Sequence, residues 1–416
     1  MMPLAIRLPS NKDPKHPTFH GSLPDGRIYV SSRPRYPNKP LGFRLDLVLS
    51  DQKHILGGSI HKPDCSSFFT HFSMNRCRAW IYRKNNTSYD LSLEDHAVPK
   101  PEAIGSNDVL IDVQAVSLNY RDIIAWKNLA GRRVEGRVPT SDGAGIVKAV
   151  GAAVSQWRPG DRVAACFFPR WQTGRFELSN HQHDLGGNLD GMLREQALFH
   201  EDALVRLPSH MDFRQGATLP CAALTAWYAL VARGGLKSGE TVLVLGTGGV
   251  SIWALQIAHA LGAKVYVTSS DDAKLARAKA LGAIDGVQYR AHPNWSEQIW
   301  SLTESRGVDH VVEVGGPETL EQSMRCVSGG GHIALIGVLT GFGAPSTSLF
   351  PLLARNVRLN GIYVGPREEF VRMNQFLEQH RIEPVIDRVF SFEDAPDAFA
   401  YLQSAHHFGK VVIDVA

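Results

Sequence analysis

Three glycines lie between two apolar segments of the chain, at Gly246, Gly248 and Gly249. TVLVLG before them has the pattern of a short buried strand, and VSIWALQIAHALG after them has apolar residues at helical spacing. Glycine permits a tight turn and a close approach of backbone to a ligand, and a helix N-terminus offers free N–H groups to a pyrophosphate. We therefore predict a dinucleotide site at Gly246, Thr247, Gly248, Gly249 and Val250. The alternative is a turn that serves only tight packing, and Ser251 stands where the third glycine of this motif usually lies.

The second apolar strand, VYVTSS, indicates which dinucleotide binds. An acidic residue about 20 positions after the glycines normally accepts hydrogen bonds from the ribose 2′-hydroxyl of NAD. Here the strand ends in Ser269 and Ser270, with no carboxylate at its tip, and Lys274 and Arg277 follow on the next predicted helix. Hydroxyl groups and cations suit a 2′-phosphate, so we predict NADPH rather than NADH. The alternative is that a serine caps the helix and that Lys274 and Arg277 are solvated surface residues.

The segments around this turn follow two patterns. Between residues 78 and 208, short β-branched segments are separated by Gly and Pro, which predicts a compact, mostly antiparallel β domain. After residue 208, strands and helices alternate, which predicts an α/β domain with a doubly wound parallel sheet. The first 50 residues are basic, rich in proline and without sustained periodicity. We predict a disordered extension over residues 1–76, a β domain over 77–209 and a nucleotide-binding domain over 210–350.

The composition excludes several classes of protein. The 416 residues carry 44 basic and 41 acidic side chains, a net charge of +3, so nucleic acid and anionic membranes are not expected partners. No apolar run is long enough to span a bilayer, and the first residues lack the layout of a secretory signal. The five cysteines include no CxxC pair, which favours a reducing compartment. We predict a cytoplasmic protein, with a mitochondrial location as the alternative because the N-terminal segment is basic and poor in acidic residues.

Motifs along residues 78–416 resemble, in order, those of the medium-chain dehydrogenase/reductase superfamily. They include VSLNYRDI (116–123), PTSDGAGIVKAVG (139–151), LPCAALTAWYAL (219–230), VLVLGTGGVS (242–251), VDHVVEVGG (308–316), GGHIALIGV (330–338) and HFGKVVI (407–413). The resemblance is to the zinc-independent quinone oxidoreductase-like and zinc-type alcohol dehydrogenase-like branch. It implies a GroES-like catalytic domain over 77–209 that residues 351–416 rejoin and that embraces a Rossmann domain. It also implies hydride transfer with NADPH or NADH, and a homodimer or homotetramer.

The same resemblance implies particular cofactor contacts. Related NADP-binding members place a serine, a lysine and a tyrosine around the 2′-phosphate, which here implies Ser269, Lys274 and Tyr289. Gly315 and Val338, in two of the matching motifs, are implied as further cofactor-binding residues.

Zinc-dependent members of this superfamily hold a catalytic metal with a cysteine, a histidine and a further cysteine or acid. The matching positions here are Asn119, Asp142 and Cys221. A neutral amide is a weak zinc ligand and no imidazole remains, so we predict no catalytic zinc. The structural zinc of the family needs four clustered cysteines, and the region 166–200 has only Cys166. We interpret HQHD at 181–184 as solvated loop histidines rather than a metal site.

Without a metal, a carbonyl oxygen must be polarised by hydrogen bonds from fixed donors. Asn119 and Tyr120 match positions that face the nicotinamide in the family, and we predict both as catalytic residues. Asn119 would orient the ribose or the substrate oxygen, and Tyr120 would donate a proton. The alternatives are a turn-stabilising Asn119 and a packed or surface Tyr120. Asp122 is predicted to make a structural contact with backbone or arginine. The candidates for an apolar pocket are Trp126, Phe168, Trp171 and Phe176, with ordinary packing as the alternative.

Hydride delivery to the β-carbon of a conjugated enone is the easier reaction without zinc, because the developing charge spreads over an enolate. We therefore predict an NAD(P)H-dependent reductase of a small α,β-unsaturated carbonyl, enoyl or quinone substrate. Two alternatives stay open. One is an NADP-dependent alcohol or aldehyde dehydrogenase that acts without metal, and the other is a non-catalytic nucleotide-binding protein with a structural or regulatory role.

Overall fold

The computed structural model describes residues 74–345 and 347–416. The predicted disordered extension lies outside these residues, except for residues 74–76. Those three begin strand β1 (Met74–Asn85), which pairs along its whole length with β2 (Ser88–Pro99), so the predicted boundary at residue 76 is too late. The reason is the register of the hairpin, because Met74 pairs with Pro99 and β1 therefore extends as far as its partner does.

Thirteen further strands follow in the described part of the chain. They are β3 (Asp108–Leu118), β4 (Asp142–Val150), β5 (Arg162–Ala165), β6 (Gln196–His200), β7 (Leu204–Arg206), β8 (Thr241–Leu245), β9 (Lys264–Ser269), β10 (Ala283–Gln288), β11 (Val308–Glu313), β12 (Val327–Leu335), β13 (Arg358–Gly361), β14 (Ile386–Phe390) and β15 (Lys410–Asp414). The α-helices of the described residues are α1 (Tyr120–Trp126), α2 (Phe213–Gly216), α3 (Leu224–Trp227), α4 (Gly249–Ala260), α5 (Asp272–Ala280), α6 (Trp295–Leu302), α7 (Leu320–Cys326), α8 (Phe350–Ala354), α9 (Arg367–His380) and α10 (Ala395–Gln403). None of these described helices has both the length and the apolar character needed to cross a bilayer.

The predicted β domain is built on a seven-stranded sheet. Its strand order is β14-β15-β3-β4-β5-β7, and β6 also pairs with β3. All of these pairs are antiparallel except β14 with β15. Strand β3 lies at the centre and is buried along most of its length, because partners flank it on both sides. Its last residues lead directly into α1, which places the NYRD segment at the edge of this sheet.

The predicted nucleotide-binding domain is built on a six-stranded sheet. The order is β10-β9-β8-β11-β12-β13, and every neighbouring pair is parallel. The five residues TVLVL of β8 are all buried, as expected for a strand that helices cover on both faces. The chain order reverses between β8 and β11, and ligands of such sheets bind beyond the carboxyl ends of the strands at the point of reversal. The glycine turn begins directly after β8 at this point.

The C-terminal part of the chain returns to the β domain later than predicted. Residues 351–416 were expected to rejoin it together, but β13 is the edge strand of the parallel sheet, where Arg358 pairs with His332. The return begins with β14 and β15, and β15 pairs antiparallel with the end of β3. The error arose because RLNG is short and weakly apolar, so no local pattern marks it as a strand. Strand β15 therefore belongs to the antiparallel sheet, between β14 and β3.

Candidate active site

The glycine turn joins β8 to α4 at the carboxyl edge of the parallel sheet. Gly246 has a positive φ of 72°, which glycine adopts without strain, and its N–H donates to Thr268 Oγ1 at 3.2 Å. A Cβ on Gly248 would meet only His407 Nε2, at 4.0 Å, so the backbone there is open to a ligand. Helix α4 begins at Gly249 without a side-chain cap. The free N–H groups of this helix end can therefore receive a pyrophosphate.

Gly249 and Ser251 occupy positions where helix α4 packs closely. A Cβ on Gly249 would lie 2.7 Å from Lys410 Cδ and 3.3 Å from Ala222 Cβ, so this glycine leaves room for the lysine stem to cross the start of the helix. Ser251, in the place of the third glycine, is buried and donates its hydroxyl to Leu245 O at 2.7 Å. Its hydroxyl therefore secures the strand–helix junction.

The segment before β15 lies against the same turn. Gly409 N–H donates to Thr247 O at 2.9 Å, and Gly409 forms an isolated bridge with Gly248. Val250, in the first turn of α4, packs half-buried against the main hydrophobic core. The structure thus places all five predicted phosphate-binding residues in one turn, whose outer side adjoins the C-terminal segment.

The residues predicted to surround a 2′-phosphate gather at the end of β9. Ser269 is buried and its carbonyl accepts the Tyr289 N–H at 2.9 Å, so these two residues are neighbours. Ser270 is half-buried and Tyr289 is exposed. Asp271 caps α5 by accepting the Lys274 N–H at 2.8 Å. The alternative in which a serine caps this helix is therefore wrong.

Lys274 and Arg277 both bind the C-terminal part of the chain. Lys274 Nζ donates to Ala405 O at 3.1 Å and to His407 O at 3.2 Å, which leaves one of its three N–H groups for another acceptor. Arg277 Nη1 lies 3.3 Å from Asp387 Oδ1. Lys274 is therefore more than a solvated surface residue, whereas Arg277 is an exposed residue with one ion pair.

The loops after β11 and β12 carry Gly315 and Val338, and the structure packs these loops together. Gly315 O accepts the Thr340 N–H at 2.9 Å. A Cβ on Gly316, which has a positive φ of 98°, would lie 3.2 Å from Val338 Cα. Both predicted residues thus lie in loops at the carboxyl edge of the sheet. These loops follow β11 and β12, the two strands on the far side of the point where the strand order reverses.

Glu313, which the sequence analysis missed, organises the first of these loops. It is completely buried at the end of β11, and its Oε1 accepts the N–H groups of Gly315 at 2.8 Å and Gly316 at 3.0 Å. The Thr319 hydroxyl donates to the same oxygen at 2.6 Å, and the Ser323 hydroxyl donates to Oε2. Four donors therefore satisfy one buried carboxylate, which holds the loop in a single arrangement.

A buried lysine lies where the two domains meet. Lys410 is 3% exposed, and its Nζ donates at 2.6 Å both to Leu118 O and to Asn119 Oδ1. Burial lowers the pKa of Lys410, and the Asp142 charge opposes that shift. The Asn119 side chain is therefore oriented, with Oδ1 toward the lysine. Its Nδ2 is buried and has no hydrogen-bond partner among the described residues.

Asp142 is the acidic partner in this polar centre. Its Oδ1 accepts the Ser141 hydroxyl at 2.6 Å, and its Oδ2 accepts the Cys221 N–H at 3.1 Å. Burial raises the pKa of Asp142 to about 6, although the Lys410 charge and the nearby Asn119 amide act in the opposite direction. Burial also raises the pKa of the Cys221 thiol, and the charge of Asp142 raises it further. The thiol is therefore protonated at neutral pH.

The predicted catalytic residues have different surroundings. Asn119 is buried in the polar centre, and its backbone N–H donates to Asp122 Oδ2 at 2.8 Å. Arg121 Nη1 also lies 3.2 Å from Asp122 Oδ1, so the predicted structural role of Asp122 is confirmed. Tyr120 is the first residue of α1, is 37% exposed, and makes no side-chain hydrogen bond to a described residue. The structure brings Asn119, but not Tyr120, into the network.

A second group of buried charges lies beside the first. Asp184 Oδ2 is 2.6 Å from Arg121 Nη2 and 2.7 Å from Arg132 Nη2. Asp184 belongs to the HQHD segment, where we expected solvated histidines and missed this ion pair. Thr140 is buried beside these charges. A Cβ on Gly186 would clash with the Thr140 carbonyl and with Arg121 Nη1, so these three residues are neighbours. Thr140 has a positive φ of 65° and an unpartnered hydroxyl, a combination that marks functional sites.

Three of the four aromatic residues proposed for an apolar pocket form one cluster. Phe168 lies 6.1 Å from Trp171 and 5.5 Å from Phe176, and Tyr363 lies 5.2 Å from Phe168, all measured between ring centroids. Trp126 instead packs on Phe399 in the core behind α1, so its placement in the pocket is wrong. Phe167 connects this cluster to the buried charges, because the Arg121 guanidinium lies 5.1 Å from its ring centroid.

Lys410 and Asp184 show what the sequence analysis missed. Lys410 opens the apolar run of KVVID, and Asp184 is the carboxylate of HQHDLGG. A lysine among residues with the pattern of a buried strand is unusual enough to indicate a partnered charge, and this signal was available. The identity of the partners was not, because Lys410 and Asn119 are 291 residues apart.

Comparisons with known proteins cover both domains. Two family models match, an alcohol dehydrogenase GroES-like domain over residues 105–209 and a zinc-binding dehydrogenase over residues 249–379. A zinc-type alcohol dehydrogenase-like protein of Schizosaccharomyces pombe is 41% identical over 332 residues, 78% of this chain and 95% of that protein. A 2-methylene-furan-3-one reductase of Solanum lycopersicum is 31% identical over 347 residues, 81% of this chain and 78% of that protein. A crystal structure from Sinorhizobium meliloti, provisionally described as an alcohol dehydrogenase, superimposes with a TM-score of 0.76 at 40% identity, over 82% of this chain and 99% of that one.

Proposed function

Since the chain belongs to the medium-chain dehydrogenase/reductase superfamily, in its zinc-type alcohol dehydrogenase-like branch, we propose that it reduces an α,β-unsaturated carbonyl or a quinone with NADPH. Members of this superfamily are pyridine nucleotide-dependent oxidoreductases, and a small-molecule substrate fits such an enzyme. We further propose that the cofactor is NADPH rather than NADH, that the centre holds no zinc, and that the substrate is an enone, enoyl or quinone compound.

The residues around the glycine turn fit a dinucleotide that carries a 2′-phosphate. The open backbone at Gly248 and the uncapped start of α4 suit the pyrophosphate. Ser269 ends β9 and Ser270 follows it, at the position where NAD-binding sheets carry a carboxylate. Two of the three N–H groups of Lys274 Nζ have acceptors among the described residues, so one is left for the phosphate. Bound NADPH would supply a hydride at the cleft between the domains.

Zinc does not fit the polar centre, because of the chemistry of the donors there. Asn119 Oδ1 already accepts from Lys410, whose positive charge opposes a divalent cation. The Cys221 thiol is protonated, and both oxygens of Asp142 are engaged. Among the residues that the structure describes, no three His, Cys, Asp or Glu side chains are grouped as a metal site. We therefore assign the polarising role to hydrogen bonds.

The observation that carries the proposal is the unpartnered Nδ2 of Asn119. An unsatisfied buried amide donor is costly, and it persists where a ligand supplies the missing acceptor. Lys410 fixes the amide by occupying its other end, and the amide lies beside Asp142, whose pKa it lowers. A substrate carbonyl oxygen is the acceptor that this donor would receive.

This arrangement favours reduction of a conjugated double bond. As the β-carbon accepts the hydride, negative charge develops on the carbonyl oxygen and the α-carbon, and the Asn119 N–H stabilises the oxygen. The Lys410 cation behind the amide strengthens that effect. The α-carbon then takes a proton from solvent or from Tyr120, which is accessible at the start of α1. In the quinone case one hydride and one proton together convert the two carbonyls to two hydroxyls, so one oxygen ends with the hydride hydrogen and the other takes the proton.

The substrate class has two further supports. The rings of the half-buried Phe176 and the exposed Tyr363 offer an apolar surface that suits a planar conjugated molecule, and the buried Phe168 and Trp171 support them. The tomato relative is named for reduction of 2-methylene-furan-3-one, an exocyclic enone.

A substrate panel tests the proposal. The full chain is mixed with NADPH and an enone, a quinone or an aldehyde, and separately with NADP and an alcohol, while absorbance of the reduced cofactor is followed. We expect consumption of NADPH with the enone or quinone. Reduction of NADP by the alcohol alone would favour a metal-free alcohol dehydrogenase, and tight NADPH binding without turnover would favour a non-catalytic role.

A pair of asparagine variants assigns the donor. Asn119→Ala should lower kcat on the enone by roughly 10²–10³-fold, the usual effect of removing one donor to a developing oxyanion. Asn107→Ala, an exposed asparagine in the turn before β3, is the matched control and should leave kcat unchanged. Equal kcat values for the two variants would show that Asn119 is not the donor.

We also propose the homodimer or homotetramer that the family resemblance implies, and a cytoplasmic location. Light scattering of the purified full chain measures the first, and fractionation of the source cells measures the second. A monomer at micromolar concentration, or enrichment in mitochondria, would contradict these two proposals separately.

A further inference from the structure

A second cavity lies in the antiparallel-sheet domain. Its volume is about 590 Å³, which is within the range of small-molecule sites. Leu185, Leu198 and Phe199 contribute apolar surface to its walls, and Arg194 and Arg170 contribute charge. The residues of the glycine turn and of the polar centre do not line it, so this cavity is separate from the proposed active site.

Arg194 is the unusual residue of this cavity, because it is buried without a counter-ion. It is only 8% exposed, and its backbone is held by a bridge to Ala79 of β1 and a hydrogen bond to Met192 O. Its Nη1 approaches His96 Nε2 at 3.4 Å, and its Nε has no hydrogen-bond partner. Within the described residues, no carboxylate oxygen lies within 4.0 Å of its guanidinium. Burial of an unpaired charge is strongly unfavourable, so the site indicates an absent anion.

The neighbouring groups do not supply that anion. Burial lowers the pKa of Arg194, and the negative charge of Asp190 opposes this shift. However, Asp190 Oδ1 lies 3.5 Å from Arg137 Nη1, and Asp190 Oδ2 lies 4.0 Å from His96 Nε2. Asp190 Oδ1 also accepts the Val138 N–H at 3.3 Å. Burial lowers the pKa of His96, and the Arg194 charge lowers it further, so this imidazole is neutral at pH 7. Asp190 lines the same cavity, but its Oδ1 is held by Arg137 and the Val138 N–H, and its oxygens lie beyond ion-pair distance of the Arg194 guanidinium.

The remaining charged groups at the cavity do not pair with Arg194 either. Asp202 Oδ2 lies 3.4 Å from His200 Nδ1, and Asp202 Oδ1 accepts Gln156 Nε2 at 2.9 Å. Arg170 is exposed at the rim, and among the described residues it has no carboxylate within 4.0 Å. Asp190 and Asp202 thus contact other residues, whereas neither arginine has a carboxylate within 4.0 Å among the described residues, and the cavity favours a negative ligand.

We propose that this cavity binds a small organic carboxylate with a short apolar body. The planar guanidinium of Arg194 matches the two oxygens of a carboxylate, and Arg170 adds positive charge at the entrance. Leu185, Leu198 and Phe199 cover the hydrocarbon part of the ligand. A free inorganic phosphate would satisfy the arginine but would leave these apolar walls uncovered.

Calorimetry on the full chain tests this site with hexanoate, hexanamide and inorganic phosphate as probes. We expect hexanoate to bind and hexanamide, which has nearly the same shape and no charge, to bind at least tenfold more weakly. Equal affinity for the two, or no binding of hexanoate at millimolar concentration, would overturn the proposal. Binding of phosphate in preference to hexanoate would overturn the carboxylate assignment.

Arginine variants locate the binding on the molecule. Arg194→Gln should weaken hexanoate at least tenfold, and Arg170→Gln should weaken it less, while Arg175→Gln, exposed and outside the cavity lining, should have no effect. Circular dichroism and NADPH affinity of each variant report whether it is folded. If Arg194→Gln does not fold, the Arg170→Gln result and the hexanoate–hexanamide comparison still decide the question. Hexanoate affinity unchanged in a folded Arg194→Gln variant would refute the assignment.

Discussion

Replacing Glu313 by alanine removes the acceptor that organises the loop after β11. The side chain is completely buried, and it receives the N–H groups of Gly315 and Gly316 and the hydroxyls of Thr319 and Ser323. Glu313→Ala leaves all four donors in place without their acceptor. Gly315 is one of the proposed cofactor-binding residues, so the variant should affect both stability and nucleotide affinity.

The four donors do not contribute equally to the expected loss. The Thr319 hydroxyl already lies 3.3 Å from Gly316 O and can turn to it, and the Ser323 hydroxyl is free to rotate. The two glycine N–H groups are fixed by the backbone and cannot find a new partner. Each unsatisfied buried donor costs about 1–3 kcal/mol, so the free energy of unfolding should fall by about 2–6 kcal/mol.

Urea unfolding followed by tryptophan fluorescence measures this loss, and NADPH titration measures the cofactor Kd. The matched control is Glu321→Ala on α7, because Glu321 forms only a half-exposed ion pair with Arg325 at 2.6 Å. We expect the control to unfold like the wild type and to bind NADPH with the same Kd. A loss below about 1 kcal/mol for Glu313→Ala, with an unchanged NADPH Kd, would refute the reasoning from buried unsatisfied donors.

Three further predictions concern the cofactor, the pH dependence and the metal. Lys274→Ala should raise the Kd of NADPH far more than that of NADH in calorimetry, because the remaining Nζ N–H is assigned to the 2′-phosphate; equal losses would remove that assignment. Asp142 has a pKa raised to about 6 and balances Lys410 only when ionised, so kcat/KM should fall as pH drops through about 6. That acidic limb should be absent in Asp142→Asn, and its persistence in the variant would assign it to another group. Treatment with a chelator should leave enone reduction intact, and a loss that added zinc restores would contradict a metal-free centre.

Local sequence patterns predicted the parts of the fold that depend on neighbouring residues in the sequence. The alternation of strands and helices after residue 208 and the glycine turn at Gly246 were predicted because period and turn chemistry are local properties. The edge strand β13 was missed because RLNG has neither an apolar run nor alternation, and its pairing with β12 alone makes it a strand.

The candidate site was predicted only in part, for the same reason. Asn119 was identified from a family motif, but its orientation depends on Lys410, which approaches from another strand of the sheet. Glu313 stands in a buried strand, and nothing before the fold is known shows that two glycines and two hydroxyls converge on it. Contacts between distant segments, rather than local propensity, therefore determine which polar residues form a site.

The position of β15 between β14 and β3 has a consequence for biosynthesis. A nascent polypeptide that has emerged as far as β13 carries every strand of the parallel sheet, yet residues 115–118 of β3 still lack their partner. Unpaired strand edges of this kind recruit other chains, so the interval before β15 leaves the ribosome is the period of greatest exposure to aggregation. Arrival of Lys410 then completes the sheet and the polar centre around Asn119 in one event. Translation through β15 is thus the step at which the proposed active site can be assembled.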